Sequence, residues 1–143
     1  MSTCITNMSG QTATETPQNT VCSIAFLKRK ADLTQEEFYH HWENVHGPLV
    51  RPWAEKHGFI SYTQVHAAQG MNKEATPIGP ESRDANSLEG FDGCAVFELP
   101  SFEVFAAAFK DDYYLNVIEP DEKNFIDKKA GVMRSRGDMR KIL

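Results

Sequence analysis

Phe38-Tyr39-His40-His41-Trp42-Glu43-Asn44-Val45-His46-Gly47-Pro48-Leu49-Val50-Arg51-Pro52 reads as an amphipathic helix interrupted from within. At about 100° per residue, Phe38, Trp42, Val45 and Leu49 form one apolar stripe, His41 and His46 lie on its two flanks, and His40 points away. Pro48 has no N–H to give the carbonyl of Asn44 and disfavours helical backbone at Gly47, so the spacing predicts a kink or break just after His46. Interruptions of this kind aim a side chain or free backbone groups for a ligand, and His46 is the titratable group beside this one. The plain alternative is that Gly47-Pro48 only ends a helix and His46 is a packed, satisfied histidine.

Working outward, Thr34-Gln35-Glu36-Glu37 is a capping box that starts the helix. The apolar pattern resumes through Leu49, Val50 and Trp53 to Lys56, where Gly58 supplies a stop. Upstream, Val21 to Leu27 reads as a strand covered on both faces, bounded by Lys28-Arg29-Lys30. Downstream, Phe59 to Ala68 reads as a second strand with Ile60, Tyr62, Gln64, His66 and Ala68 on one face. Gln69 to Gly90 has no periodicity and is a candidate lid. Gly93 to Leu99 is a third strand, and Ser101 caps a helix carrying Phe102, Val104, Phe105 and Phe109. Tyr113 to Asp127 is a further helical or irregular segment, and a last strand lies within Val132 to Leu143, with Gly137-Asp138 as a point of interruption. Strand, helix, strand, strand, helix, strand is the α+β, ferredoxin-like split βαβ order, with two helices on one face of a four-stranded antiparallel sheet. The other sheet face is left bare, and a second copy of the chain is the expected cover, giving a symmetric homodimer.

The 143 residues, 41% hydrophobic and 24% charged, suit one globular domain, read as a polar tail over 1–20 and a folded domain over 21–143. The net charge of -5 argues against nucleic acid as a partner, and the basic run Lys128, Lys129, Arg134, Arg136, Arg140 and Lys141 reads as a solvated face. The first twenty residues carry neither a basic start nor an apolar run of signal or membrane length, which points to a cytoplasmic protein with no membrane association. Cys4, Cys22 and Cys94 are scattered as reduced thiols are, and Cys22 and Cys94 fall in apolar strands as inert core thiols. No Gly-rich phosphate loop, nucleophile elbow or paired-cysteine motif occurs. His40, His41, His46 and His66 include no pair at helical ligand spacing, so no metal site is expected. Asp121 and Glu122 follow Pro120 and read as a helix start.

The residues Phe38-Tyr39-x-x-Trp42-x-x-x-His46-Gly47-Pro48-Leu49, Gln64-Val65-His66 and Pro120-Asp121-Glu122-x-x-Phe125-Ile126-Asp127 resemble the EthD-type members of the dimeric α+β barrel proteins. The resemblance covers Val21 to Asp127 and is strongest to fungal members of polyketide pathways. It implies a cofactor-free lyase that decarboxylates or dehydrates an aromatic polyketide of the atrochrysone carboxylic acid kind, using no metal or organic cofactor, in a pocket between sheet and helices. The same barrel also hosts polyketide cyclases, cofactor-independent monooxygenases and dimers that bind a polyketide without changing it, and these stay open.

Loss of water or CO2 from such a substrate needs a proton carrier and a donor to the developing enolate. The catalytic candidates are His46, His66 and Tyr62, with the two imidazoles expected to converge over one hollow. Trp42, His41, Phe97, Phe105 and Phe109 are the substrate-binding candidates, a wall for a flat polycycle. Each has its plain alternative: a half-packed strand histidine, a core tyrosine and an ordinary aromatic core.

Overall fold

The computed structural model of the chain describes residues 19–67 and 91–143. The tail reading for 1–20 and the lid reading for 69–90 therefore fall outside the described residues, apart from Asn19 and from Thr20, which is the first residue of a strand.

Four strands, β1 (Thr20–Leu27), β2 (Ser61–His66), β3 (Gly93–Leu99) and β4 (Met133–Met139), form one antiparallel sheet in the order β2-β3-β1-β4. Helices α1 (Gln35–His41) and α2 (Gly47–Lys56) connect β1 to β2, and α3 (Phe102–Ala108) and α4 (Glu119–Phe125) connect β3 to β4. This is the ferredoxin-like α+β arrangement expected. The capping box is in place, with the Thr34 hydroxyl accepting from the Glu37 N–H at 3.1 Å. Ser101 caps α3 in the same way. Gly58, at φ 72°, closes α2 in the left-handed conformation that glycine adopts without a steric cost. β4 runs unbroken through Gly137 and Asp138.

Of the kink or break expected after His46, the break is not there. The chain stays helical through Gly47 (φ -52°, ψ -51°), and Trp42–His46 forms a π turn in which the Gly47 N–H reaches back five residues to the Trp42 carbonyl. One extra residue in the turn makes room for the Pro48 ring, which a regular α turn would drive into a carbonyl. It also rotates everything beyond it. Phe38, Trp42, His46, Val50 and Trp53 now form the buried stripe, while Val45, expected inside, is 41% exposed and His46, expected on the flank, is 4% exposed. Tyr114–Ile118 is a second π turn, again two residues before a proline, Pro120. Asp121 and Glu122 consequently lie inside a helix already under way, and the reading of them as a helix start is corrected.

β1 alternates rather than being covered on both faces. Ser23, Ala25 and Leu27 are buried under the helices, and Cys22, Ile24 and Phe26 are only partly covered on the far side. The helices cover one face alone, as two helices on a four-stranded sheet must. Two aromatic clusters fill the interface, one around Phe38, Trp42 and Phe125 and one around Val50, Trp53 and Ile118. The indole Nε1–H of Trp53 donates to the Ala108 carbonyl at 2.8 Å, tying α2 to α3.

The Trp42 ring lies directly on the β3 backbone at Gly93, where an added Cβ would stand 2.5 Å from Trp42 Cζ3 and 2.8 Å from the Val65 carbonyl oxygen. Gly93→Ala is therefore expected to destabilise the fold by about 2 kcal/mol, the usual scale of overpacking. Urea denaturation checks this, and an unchanged midpoint would show that Trp42 does not rest there.

Candidate active site

Between the helices and the sheet lies a cavity of about 60 Å³. Its floor is the sheet centre, where Ala25 is paired with Ala95 on one side and with Arg134 on the other, and Ser23 stands one pair along. The Ser23, Ala25 and Ala95 side chains project so little that helices resting on the bulky rims, Trp42 and Phe97 among them, leave space above the floor. The walls are mainly aromatic, from Trp42, Trp53, Tyr62, Phe97, Phe105, Phe109 and Tyr114, and the polar groups among them include His46 and Glu122.

His46 ends the first π turn and is aimed inward by it. Its Nδ1 lies 2.8 Å from Asp121 Oδ2. Asp121 is 8% exposed, receives His41 Nε2 at 3.0 Å on Oδ1, and also accepts from the Asn124 amide at 3.2 Å. One carboxylate thus joins two histidines of the first helical rod, His41 and His46, to the second. Burial pushes the Asp121 carboxyl up, but the hydrogen bonds from His46, Asn124 and His41 outweigh it and hold the group below its ordinary value. Burial likewise lowers the His46 imidazole, an effect the hydrogen bond to Asp121 offsets only in part. The pair is therefore a carboxylate beside a neutral imidazole whose Nδ1–H donates, which leaves Nε2 as the basic nitrogen.

Tyr62 lies across from it on β2, stacked on Phe97 with centroids 4.8 Å apart. Burial raises its phenol, against hydrogen bonds from the Gln64 and Trp42 side chains, so it stays protonated at neutral pH. The Gln64 Nε2–H₂ donates to the Tyr62 oxygen at 2.9 Å and to the Trp42 carbonyl at 2.9 Å, the same carbonyl that closes the π turn. With its oxygen so occupied, Tyr62 keeps its own O–H proton for another acceptor. His66 Nε2 donates to Gln64 Oε1 at 2.9 Å, and its ring is sandwiched between Tyr39 (4.7 Å) and Trp42 (5.0 Å).

Of the expected catalytic residues, His46 and Tyr62 line the cavity together. His66 instead lines a groove of about 690 Å³ outside β2, so the two imidazoles do not converge on one hollow within the subunit. The reason is the Trp42 indole, which fills the space between them. Trp42, Phe97, Phe105 and Phe109 are among the residues lining the cavity; His41 is not, and packs instead on Phe125 (4.9 Å) behind Asp121. Residues that sequence reasoning missed are Asp121, Gln64 and Arg134. Both helical rods carry an X-Pro step, at Pro48 and at Pro120, but that signal does not by itself pair Asp121 with His46. Arg134 and Arg136, read as part of a solvated face, are exposed, and their guanidinium groups also lie over phenylalanine rings at 5.7–5.8 Å. Cys22 and Cys94 are free thiols, and burial raises that of Cys94.

Residues 30–129 match the EthD domain family. Among curated proteins the chain is similar to the dehydratase ustZ of Ustilaginoidea virens, at 30% identity over 73% of this chain and 74% of that one, and to the dehydratase aurZ of Gibberella zeae, at 29% over 85% and 79%. It also resembles the decarboxylase claH of Passalora fulva, at 25% over 85% and 82%. An ethyl tert-butyl ether d (ethd) family protein from Bacillus halodurans shares the fold, with a TM-score of 0.53 and 18% identity over 85% of this chain and 99% of that one.

The burial of His46 bears on stability. Its folded pKa lies below the ordinary 6.5, so as pH falls below 6.5 the unfolded chain takes up a proton the folded one refuses, and stability falls until the folded pKa is passed. Asp121, depressed in the fold, adds stability that is present above its ordinary 3.8 and lost as pH falls below it. The urea midpoint should therefore begin to decline just below pH 6.5, and His46→Gln should remove that first decline while leaving the later acid loss. An identical pH profile in the variant would mean that His46 titrates as it does in water.

Proposed function

The chain belongs to the EthD domain family, and on that premise we propose that it is a cofactor-independent lyase acting on an aromatic polyketide, removing water or CO2 with His46 as the proton carrier. The observation that carries the reading is a neutral imidazole, buried in an aromatic cavity, with one nitrogen committed to a carboxylate and the other left for a ligand. In dehydration of a β-hydroxy ketone, Nε2 of His46 takes the proton from the carbon beside the ketone. The enolate oxygen accepts the Tyr62 O–H, and the imidazolium then gives its proton to the hydroxyl leaving as water. In decarboxylation of a β-keto acid, Nε2 of His46 first takes the carboxyl proton; the electrons of the breaking C–C bond then pass to the ketone oxygen as CO2 leaves, and the carbon takes that proton back from the imidazolium. Both courses use the same groups, and relatives named for either reaction are in keeping with that.

Asp121 orients His46 and stabilises its imidazolium, and His66 acts at one remove, fixing the Gln64 amide that leaves Tyr62 as donor. At about 60 Å³ the cavity is far short of the several hundred Å³ usual for a ligand of this size. Tyr62 lines both the cavity and the outer groove, so its ring is the wall whose movement would join them.

Incubating the protein with atrochrysone carboxylic acid, and following product and CO2 by mass spectrometry, tests the reaction. His46→Ala is expected to lower kcat by about 10²–10⁴-fold. Asp121→Asn and Tyr62→Phe should follow in the same direction, with a smaller loss for His66→Ala. Full turnover in His46→Ala would remove the assignment. The bare sheet face, with Ile24 opposite Val96 and Val65 38% exposed, supports a second copy as its cover. Light scattering should then give twice the 16.1 kDa chain mass, and a single-chain mass would refute the dimer.

A further inference from the structure

We infer that Arg134 is the anion-recognition residue of the cavity, binding the carboxylate or enolate oxygen of an aromatic ligand whose ring lies among Phe105, Phe109 and Tyr114. The inference rests on reading this cavity as the substrate site. Arg134 stands on β4 opposite Ala25, facing the helices across the short floor. It is the one exposed residue among those lining the cavity, which puts the mouth beside it. Its guanidinium lies 5.8 Å from the Phe109 centroid, and among the described residues no carboxylate lies within ion-pair distance of it. A guanidinium lodged on an aromatic face keeps its donor fork free for a planar oxyanion, and Arg134 alone of the two β4 arginines so placed lines the cavity.

The nearby acid does not cancel it. Glu122 also lines the cavity, but its Oε1 is taken by Lys128 Nζ at 2.7 Å and by the Tyr114 hydroxyl at 3.1 Å, so its charge is already paired. The lining therefore offers an anion one unspent cation at the mouth and a neutral imidazole and phenol within. Arg136, one pair along β4, lies over Phe102 and Phe105 but does not line the cavity, and serves as a control.

Calorimetric titration at mildly alkaline pH with two matched pairs, 2-naphthoate against 2-naphthamide and the enolate of 1,3-indandione against 1-indanone, tests this without requiring turnover. Wild type should prefer the anion of at least one pair. Arg134→Gln should lower that preference about ten-fold, the loss expected for a hydrogen bond to a charged group, and Arg136→Gln should not. A change confined to the naphthoate pair assigns a carboxylate, and one confined to the indandione pair an enolate. An anion preference unchanged in Arg134→Gln overturns the inference and leaves the cavity as the site. If no member of either pair binds wild type, both readings fall.

Discussion

The Asp121 carboxylate, with His46 on one oxygen and His41 on both, is the contact on which the helical layer depends. It crosses from the second helical rod to the first, so neither rod can slide or rotate without breaking a buried, charge-assisted hydrogen bond. A buried carboxylate survives only when its oxygens are filled, and here two imidazoles and an amide fill them. The same contact underlies the proposed chemistry: with the His46 Nδ1–H donating to Asp121, Nε2 is the nitrogen left to act as a base.

That contact exists because both rods contain a π turn. In each, one added residue accommodates a proline and rotates the following turns. His46 is swung inward by the first, and Asp121 sits just past the second. Distortion of this sort costs hydrogen-bond quality locally, and it is retained where it aims a functional group. The Trp42 carbonyl shows how little is left over, since the Gly47 N–H and the Gln64 amide both reach it.

The sheet contributes by what it lacks. Ser23, Ala25, Gly93 and Ala95 occupy the helix-facing centre of β1 and β3, where a closed core would have Val, Ile or Leu. At Gly93 the missing side chain admits the Trp42 ring, and at the other three it leaves the cavity. The aromatic residues around this floor pack mainly on one another, edge to face, so they hold the roof without filling the space below it.

Local chemistry determined most of the fold. The Thr34 capping box, the Ser101 cap, the Gly58 stop and the strand patterns from Val21, Phe59 and Gly93 each depend on neighbours a few residues away, and the sequence displays those neighbours. His46 and Tyr62 were legible as site candidates for the same reason: a titratable group beside an X-Pro step, and a phenol on the inner face of a strand. The partners of His46 were not. Asp121 is 75 residues away, Arg134 faces Ala25 across a strand pair, and the indole that parts His46 from His66 was visible only as one more apolar residue of a stripe. A fixed 100° step cannot represent a turn with an extra residue, so the face on which His46 lies was decided by how the helix accommodates Pro48 and packs on the sheet.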